Sequence, residues 1–389
     1  MSTKARLISK ISLKGLEIAP SQVWGSIRLV PLLRQNQNNN LRLFRRSYDE
    51  DIGIVNIDKK LNYISYIPHG LVLSWNDRET PQATLGSQLA SDGKSLELKC
   101  CRGNVKLRML NRMAKKESPN QLRFLPLHLA MEGFLSMYFS GPSITWNDYP
   151  RRILSKGLNP RSEYSFSGSS ISGFEDALRV FEIHENQVGI LVFVAEALAS
   201  AFIVPNSQDY RALHTSLLQD FYGELIYYYG MLRNTNYPMD VSVDESKINS
   251  IKDLREAISK MRRDWAEFQG FMADSLLDRP LQAKRIQKTG IFTLERFITD
   301  LDPQEVNHIG EVIVSQNGHL EYLKSYRLST SQTKRIYLLS QLAKYDWNLE
   351  NTAISLNITQ NELVKRLERV GFGYLLKESV LNAAKKNKL

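Results

Sequence analysis

Glu182, His184 and Glu185 place two carboxylates and an imidazole that titrates near neutrality within four residues, the raw material of proton transfer or of a small ligand site. Residues 182 and 184 share a face only where the chain is extended, and a satisfied loop histidine between solvated carboxylates is the plainer alternative. His184 and Glu185 also begin an H-E-x-x sequence, but Val188 stands where a second zinc-binding histidine would be needed. Gly86 to Ser95 contains G-x6-GKS, too long for the G-x4-GK[ST] loop whose successive amides surround a phosphate. Neither a G-x-S-x-G elbow nor a G-x-G-x-x-G turn occurs. The glycine- and serine-rich stretch Gly168 to Asp176 opens a helix whose free amides could face an anion, yet Glu175 and Asp176 already occupy that first turn. No catalytic residue, no cofactor and no metal is expected from these motifs. An enzyme of nucleotide or ADP-ribose chemistry built on 182–185 ranks behind the binding functions below.

A different chemistry is written near the C-terminus. Gln360, Asn361, Val364 and Lys365 are expected on the leading face of a helix that ends at Val370, with Lys365, Arg366 and Arg369 along one flank. Side-chain amides and a lysine at the start of such a helix suit the edges of bases, and the later cations suit phosphates. Glu362 would repel a phosphate but could accept from a cytosine amino group. The elements around it have helix-turn-helix spacing. Gln332 to Lys344 forms a leading helix, Asn348 caps a short helix to Leu356, Ala353 is small where helices cross, and Asn357 sits at a turn that needs left-handed backbone. Thr359 caps the last helix, which buries Leu363, Leu367 and Val370. A plain three-helix packing module is the alternative.

The chain has 389 residues, 51 Lys and Arg against 41 Asp and Glu, 42% apolar residues and two cysteines. That composition excludes disorder, collagen and disulfide scaffolds. Cys100 and Cys101 are adjacent, which suits reduced thiols and neither an easy bridge nor a four-ligand zinc site. The first residues carry no signal-peptide pattern, and the most apolar run, Val188 to Val204, is short and interrupted by Glu196 and Ser200, so a cytoplasmic chain without membrane contact is expected. The net +10 is unevenly placed. Nine cations from Lys4 to Arg46 face Glu17 alone, Arg102 to Arg123 holds seven against Glu117, and beyond Ser329 ten face five acids. Basic clusters are the electrostatic footprint of phosphate-backbone binding, and they are also common on solvated faces.

The elements that must position these residues are mixed. The first 125 residues read as short strands between turns: Gly25 to Leu33, Leu41 to Arg45, Ile52 to Ile57, Tyr63 to Trp75 and Leu96 to Leu110. Leu127 to Tyr138 has helical spacing. From Ser172 to Tyr229 the order is helix, strand, strand, helix: a Ser172 cap before Phe174, apolar runs Ile190 to Val194 and Leu198 to Val204, then a helix opened by Pro205 to Ser207 that covers the sheet. The run Phe221 to Tyr229 is read as core aromatics rather than base-stacking groups. Asn234 to Asp244 is polar, contains Pro238 and reads as a boundary. Lys247 to Leu277 is a long amphipathic helix that either covers a domain or pairs with a copy of itself, and a hairpin is expected around Asn317 and Gly318. The expected fold class is therefore α+β: a mixed N-terminal domain over 1–233, a helical connector with a hairpin over 245–328 and an all-α helix-turn-helix module over 329–389.

Two resemblances add to this reading. Gln332 to Leu376, with Asn348, Ala353, Leu356, Ile358, Leu363, Lys365, Arg366, Leu367 and Gly371, resembles the Fis-type helix-turn-helix of bacterial enhancer-binding activators, departing from it at Glu362 and at Asn357. Leu125 to Tyr229, with FEIHENQVGILVFVAEALASAF followed by Asp209 and Tyr210, resembles the bacterial family called ARG and rhodanese-phosphatase-superfamily-associated proteins. The first implies binding of double-stranded DNA, transcription regulation and a homodimer. The second implies a setting of nucleotide stress, RNA repair or conflict systems, with RNA or a modified nucleotide bound through the Arg102 to Arg123 cluster as the alternative function, and carries over no catalytic residue.

Overall fold

The computed structural model describes residues 7–39, 41–47, 53–58, 61–65, 69–74, 171–231, 243–289, 292–315, 318–370, 372–373 and 376–386. Within them a mixed α/β fold is built on one large antiparallel sheet. Its strands are β1 (Glu17–Ile18), β2 (Gln22–Trp24), β3 (Ile27–Leu33), β8 (Gln187–Val194), β9 (Ala197–Ile203), β10 (Leu281–Thr289), β11 (Phe292–Thr299), β12 (His308–Val314) and β13 (Leu320–Arg327). They run in the order β1-β3-β8-β9-β13-β12-β11-β10, with β2 also paired to β3. Two small ladders stand apart from it: β4 (Arg42–Ser47) with β7 (His69–Ser74), and β5 (Gly53–Asp58) with β6 (Leu61–Ser65).

Local chemistry explains the turns. Ala195 and Glu196 close the β8–β9 hairpin with φ of 44° and 67°, the two positive values of a two-residue turn whose twist matches the strands. Gly25 joins β2 to β3 at φ 56°, and a Cβ there would lie 2.0 Å from the Gly230 carbonyl oxygen, so only glycine fits. The hairpin expected near residues 317 and 318 is β12–β13, with Gly318 at φ 76°.

Alternation sorts the strands into two apolar layers. One face gathers Ile27, Leu29, Ile190, Val192, Val194, Phe202, Leu294, Ile298, Ile309, Ile313 and Tyr322. It is covered by α2 (Ser207–Ser216) and its irregular continuation through Tyr222, Leu225 and Ile226, and by the C-terminal helices. Asn206 caps α2, its side chain accepting from the Asp209 amide. The opposite face gathers Val30, Leu32, Leu191, Phe193, Ala201, Ile203, Phe297, Val312 and Leu323. Ile11 and the segment Ala273, Leu276 and Leu277 cover it, just beyond the long helix α3 (Ile251–Met272).

Several sequence expectations change here. The first helix, α1 (Phe174–Val180), is capped by Gly173 at φ 80° with no side-chain bond, so Ser172 does not cap it. The boundary expected at 234–244 does not divide the sheet, because Leu323 to Tyr326 of β13 pair with Ile203 to Ser200 of β9. Residues 245–328, expected as a helical connector, contribute four strands of that sheet besides α3. The polar and charged residues on those strands mask their period-2 pattern in the sequence. Cys100, Cys101, the Gly86 to Ser95 motif, the Arg102 to Arg123 cluster and the 127–138 helix lie outside the described residues. Among the described residues no helix is long and apolar enough to cross a membrane.

His308, at the start of β12, is fully buried on the second face, its Nε2 3.0 Å from the Ser275 hydroxyl. Burial, with Arg327 and Arg279 nearby, pushes its imidazolium down to about 3. The unfolded chain therefore binds the proton first, and the stability His308 confers is complete above the usual histidine range and lost as pH falls towards 3. Urea unfolding should show the wild type losing about 2 kcal/mol between pH 8 and pH 5 relative to His308→Asn. Parallel curves for the two proteins would contradict this placement.

Candidate functional site

The C-terminal helices are α4 (Thr330–Lys344), α5 (Leu349–Ser355), α6 (Gln360–Arg369) and α7 (Glu378–Lys386). Ser329 and Gln332 form a reciprocal capping box at the start of α4. Asn348 accepts from the Asn351 amide and starts α5, Asn357 takes the left-handed conformation at φ 52°, and Thr359 accepts from the Glu362 amide and starts α6. The Ile358 amide donates to the Ala353 carbonyl at 3.0 Å, which pins the turn between α5 and α6. Ala353, Leu363 and Leu367 are buried, and they belong to the same apolar cluster as Ile336, Leu339 and Leu342 of α4 and the first face of the sheet. Truncating either leucine of α6 to alanine would cost ~2–5 kcal/mol at such a site.

What α6 presents outward differs in two respects from the expected set. Gln360 and Arg369 are exposed, and Asn361 and Lys365 are half-buried. Val364, expected on the open face, is 2% exposed and packs inward, so it cannot meet a ligand. It lies one residue after the buried Leu363, and α6 uses both together with Leu367 to fill its core. Arg366, expected to hold a phosphate, is bound to Glu362 one turn earlier at 2.6 Å, both side chains being nearly half exposed. An exposed pair of this kind is worth little and is easily exchanged for a stronger anion.

Residues 182–185 form the loop between α1 and β8, where Glu182 and Glu185 are exposed. The partners of His184 are amides: its Nε2 lies 3.5 Å from Gln22 Nε2, and its backbone N–H donates to Gln187 Oε1 at 2.8 Å. Among the described residues no three His, Cys, Asp or Glu side chains converge on a possible metal position. The basic N-terminal stretch is also less open than its sequence suggests. Arg28 and Arg34 are buried, and Arg34 Nη1 pairs with Glu321 at 3.3 Å and donates to the Pro205 carbonyl.

The densest concentration of chemistry in the described fold was not singled out by sequence reasoning. Arg296, Glu311 and Lys324 are direct cross-strand neighbours on β11, β12 and β13, on the face that carries Tyr322 and Tyr326. Arg296 Nε meets Glu311 Oε1 at 3.2 Å, with side chains 4% and 0% exposed. Lys324 Nζ stands 5.9 Å from the Tyr326 ring centre. Beside them, Tyr222 and Ser200 share a hydrogen bond of 2.8 Å, and the fully buried Tyr322 hydroxyl has no hydrogen-bond partner among the described residues. Desolvation lowers the Lys324 ammonium to about 8 against the raising effect of Glu311, and burial raises the Tyr222 phenol. A second buried pair lies further along α2. His214 Nε2 is 2.8 Å from the Phe181 carbonyl, which makes that nitrogen the donor and leaves Nδ1 to accept from the Tyr210 hydroxyl at 3.0 Å. Burial lowers the pKa of that histidine, against the raising effect of the Phe181 carbonyl. The signal for the ladder was one charge at the inward phase of each of three apolar strands, legible only once their register is known.

The chain matches the family model ARPP-2 over residues 11–290, and therefore belongs to the ARPP-2 family. The resemblance carried by residues 125–229 is part of that longer match, which runs from the segment before β1 into the end of β10. No curated protein matches, and no solved structure matches. The ladder strands β11 to β13 and the helices α4 to α7 lie beyond the matched region.

Because the folded state depresses Lys324, its contribution to stability is complete above the usual lysine range and is lost as pH falls through about 8. Between pH 8 and pH 10 the wild type should gain about 2 kcal/mol over Lys324→Met. Urea titrations at both pH values measure the difference, and equal gains in the two proteins would refute a buried, desolvated amine.

Proposed function

We propose that this member of the ARPP-2 family is a DNA-binding protein, acting in transcription regulation or DNA targeting, in which α5 and α6 form a helix-turn-helix and the sheet serves as sensor or scaffold. The observation that carries the reading is α6 itself. Its inner face is fixed by Leu363, Val364 and Leu367, while Gln360, Asn361, Lys365 and Arg369 occupy the remaining circumference behind a tight turn at Asn357. Insertion of α6 into the major groove would set Gln360 and Asn361 against base edges, with Lys365 at the groove and Arg369 on a phosphate. Arg366 would join them by exchanging Glu362 for a phosphate oxygen, a charge-assisted contact stronger than its exposed ion pair. The net charge of +10 favours non-specific association with the duplex before any sequence is read.

Removing 329–389 is a poor test, since it would strip Ile336, Leu339 and Leu342 from the core they share with the sheet. Point variants on the outer face avoid that. Fluorescence anisotropy of labelled duplex DNA over a salt series should show Lys365→Ala/Arg369→Ala binding about tenfold or more weakly, with a salt slope shallower by about 1 to 2. Glu362→Gln, which releases Arg366, should bind more tightly than wild type. Unchanged affinity and slope in both variants would defeat the proposal and leave the helices as a packing module.

A further inference from the structure

Helix α3 is amphipathic, yet its apolar side faces solvent near both ends and is half-buried at Ile258, Met261 and Trp265 between them. Ile251, Leu254, Phe268 and Phe271 are 72%, 40%, 45% and 71% exposed, four of the seven large exposed hydrophobics among the described residues. Gln269 is the one buried residue described within the helix. Among the described residues no other element packs extensively against it. Its end is anchored: Met272 packs against the second core, and Ala273, Leu276 and Leu277 are part of that core. The helix is therefore anchored at its C-terminal end, and Ile251, Leu254 and Phe268 of its stripe stand open.

The spacing of the apolar positions decides what fits there. Ile251, Leu254, Ile258, Met261, Trp265, Phe268 and Met272 alternate steps of three and four without interruption. That is a strict seven-residue repeat, with 251, 258, 265 and 272 at one seam position and 254, 261 and 268 at the other. A stripe meant only to cover its own sheet would follow the 3.6-residue period and widen on one side. A seven-residue period holds its seam straight only against another supercoiled helix. At about 33 Å the helix supplies three repeats, enough for a dimer seam.

We propose that α3 pairs with α3 of a second copy of this chain as a parallel two-stranded coiled coil. The flanking residues choose both the partner and the direction. One flank carries Arg255, Arg262 and Gln269, and the other Ser250, Ala257, Asp264 and Phe271. In a parallel pair each flank meets the opposite flank of its partner, so Arg255 faces Ser250 and Arg262 faces Ala257, small residues that leave room for the guanidinium stems. Either antiparallel register would bring Arg262 against its own copy or against Arg255, a like-charge contact at the edge of an apolar seam. A two-fold axis along α3 also makes identical residues meet, so Trp265 and Phe268, already edge to face at 5.7 Å, would stack with their copies. The pairing does not depend on the DNA-binding proposal, and its readout contains no nucleic acid.

Light scattering of the full chain after size exclusion should give twice 44.6 kDa. Leu254→Glu/Phe268→Glu should elute as a monomer with an unchanged circular dichroism spectrum apart from any loss within α3, since both residues face solvent in the single chain. In a Cys100→Ser/Cys101→Ser background, Leu254→Cys should oxidise to a covalent dimer, because only the parallel pair sets residue 254 opposite itself. A monomeric wild type, or a dimer that survives the two glutamates, would overturn the proposal. A glutamate-sensitive dimer that fails to cross-link through residue 254 would overturn the parallel arrangement.

Discussion

Ser325 lies where two distant stretches of chain become one sheet. Its hydroxyl accepts the Ala201 amide at 3.1 Å, its carbonyl accepts the Ser200 hydroxyl, and four residue pairs from Leu323↔Ile203 to Tyr326↔Ser200 continue the junction. These contacts close a loop of more than a hundred residues, an entropic cost that grows only slowly with loop length. Without the junction the sheet would part into β1-β3-β8-β9 with β2 and the four strands β10 to β13, leaving β9 and β13 as bare edges. With it, Phe202 stands opposite Lys324 and Ser200 opposite Tyr326, so Tyr222, which shares a hydrogen bond with Ser200, lies beside the charged ladder. Register at this junction therefore decides both what is buried and what the C-terminal helices can pack on.

That dependence separates what the sequence made legible from what it did not. The C-terminal caps at Asn348 and Thr359, the left-handed turn at Asn357, the β8–β9 hairpin and the Asn206 helix start are set within a few residues, and the reading from composition and spacing found them. The β9–β13 pairing joins strands whose sequences carry no mutual mark, and a polar segment with Pro238 between them reads as a boundary. The same limit applies to individual side chains. Val364 falls at a helical phase that borders the core, and whether such a residue is open depends on how α6 tilts against α4 and α5. Arg28 and Arg34 look like part of a basic surface until β3 is placed in the middle of the sheet.

Burial of charge also alters what the net charge means. Among the described residues the buried cations are Arg28, Arg34, Arg296 and Lys324, and the buried carboxylates are Asp209, Glu295, Glu311 and Glu321. The two sets balance, as the high cost of an uncompensated interior charge requires. The formal excess of +10 is therefore carried by the rest of the chain and not absorbed in the core. Arg296–Glu311–Lys324 is better understood as a register device than as a source of stability, because a one-residue slip of any of the three strands would turn its charge away from its partners and into the second apolar layer. A ladder of this kind fixes β13 in the one alignment from which Leu328 and the capped start of α4 continue into the helical module. The outer face of α6 is thus oriented by a register set in the interior of the sheet, and on that face Glu362 holds Arg366 in an exposed ion pair.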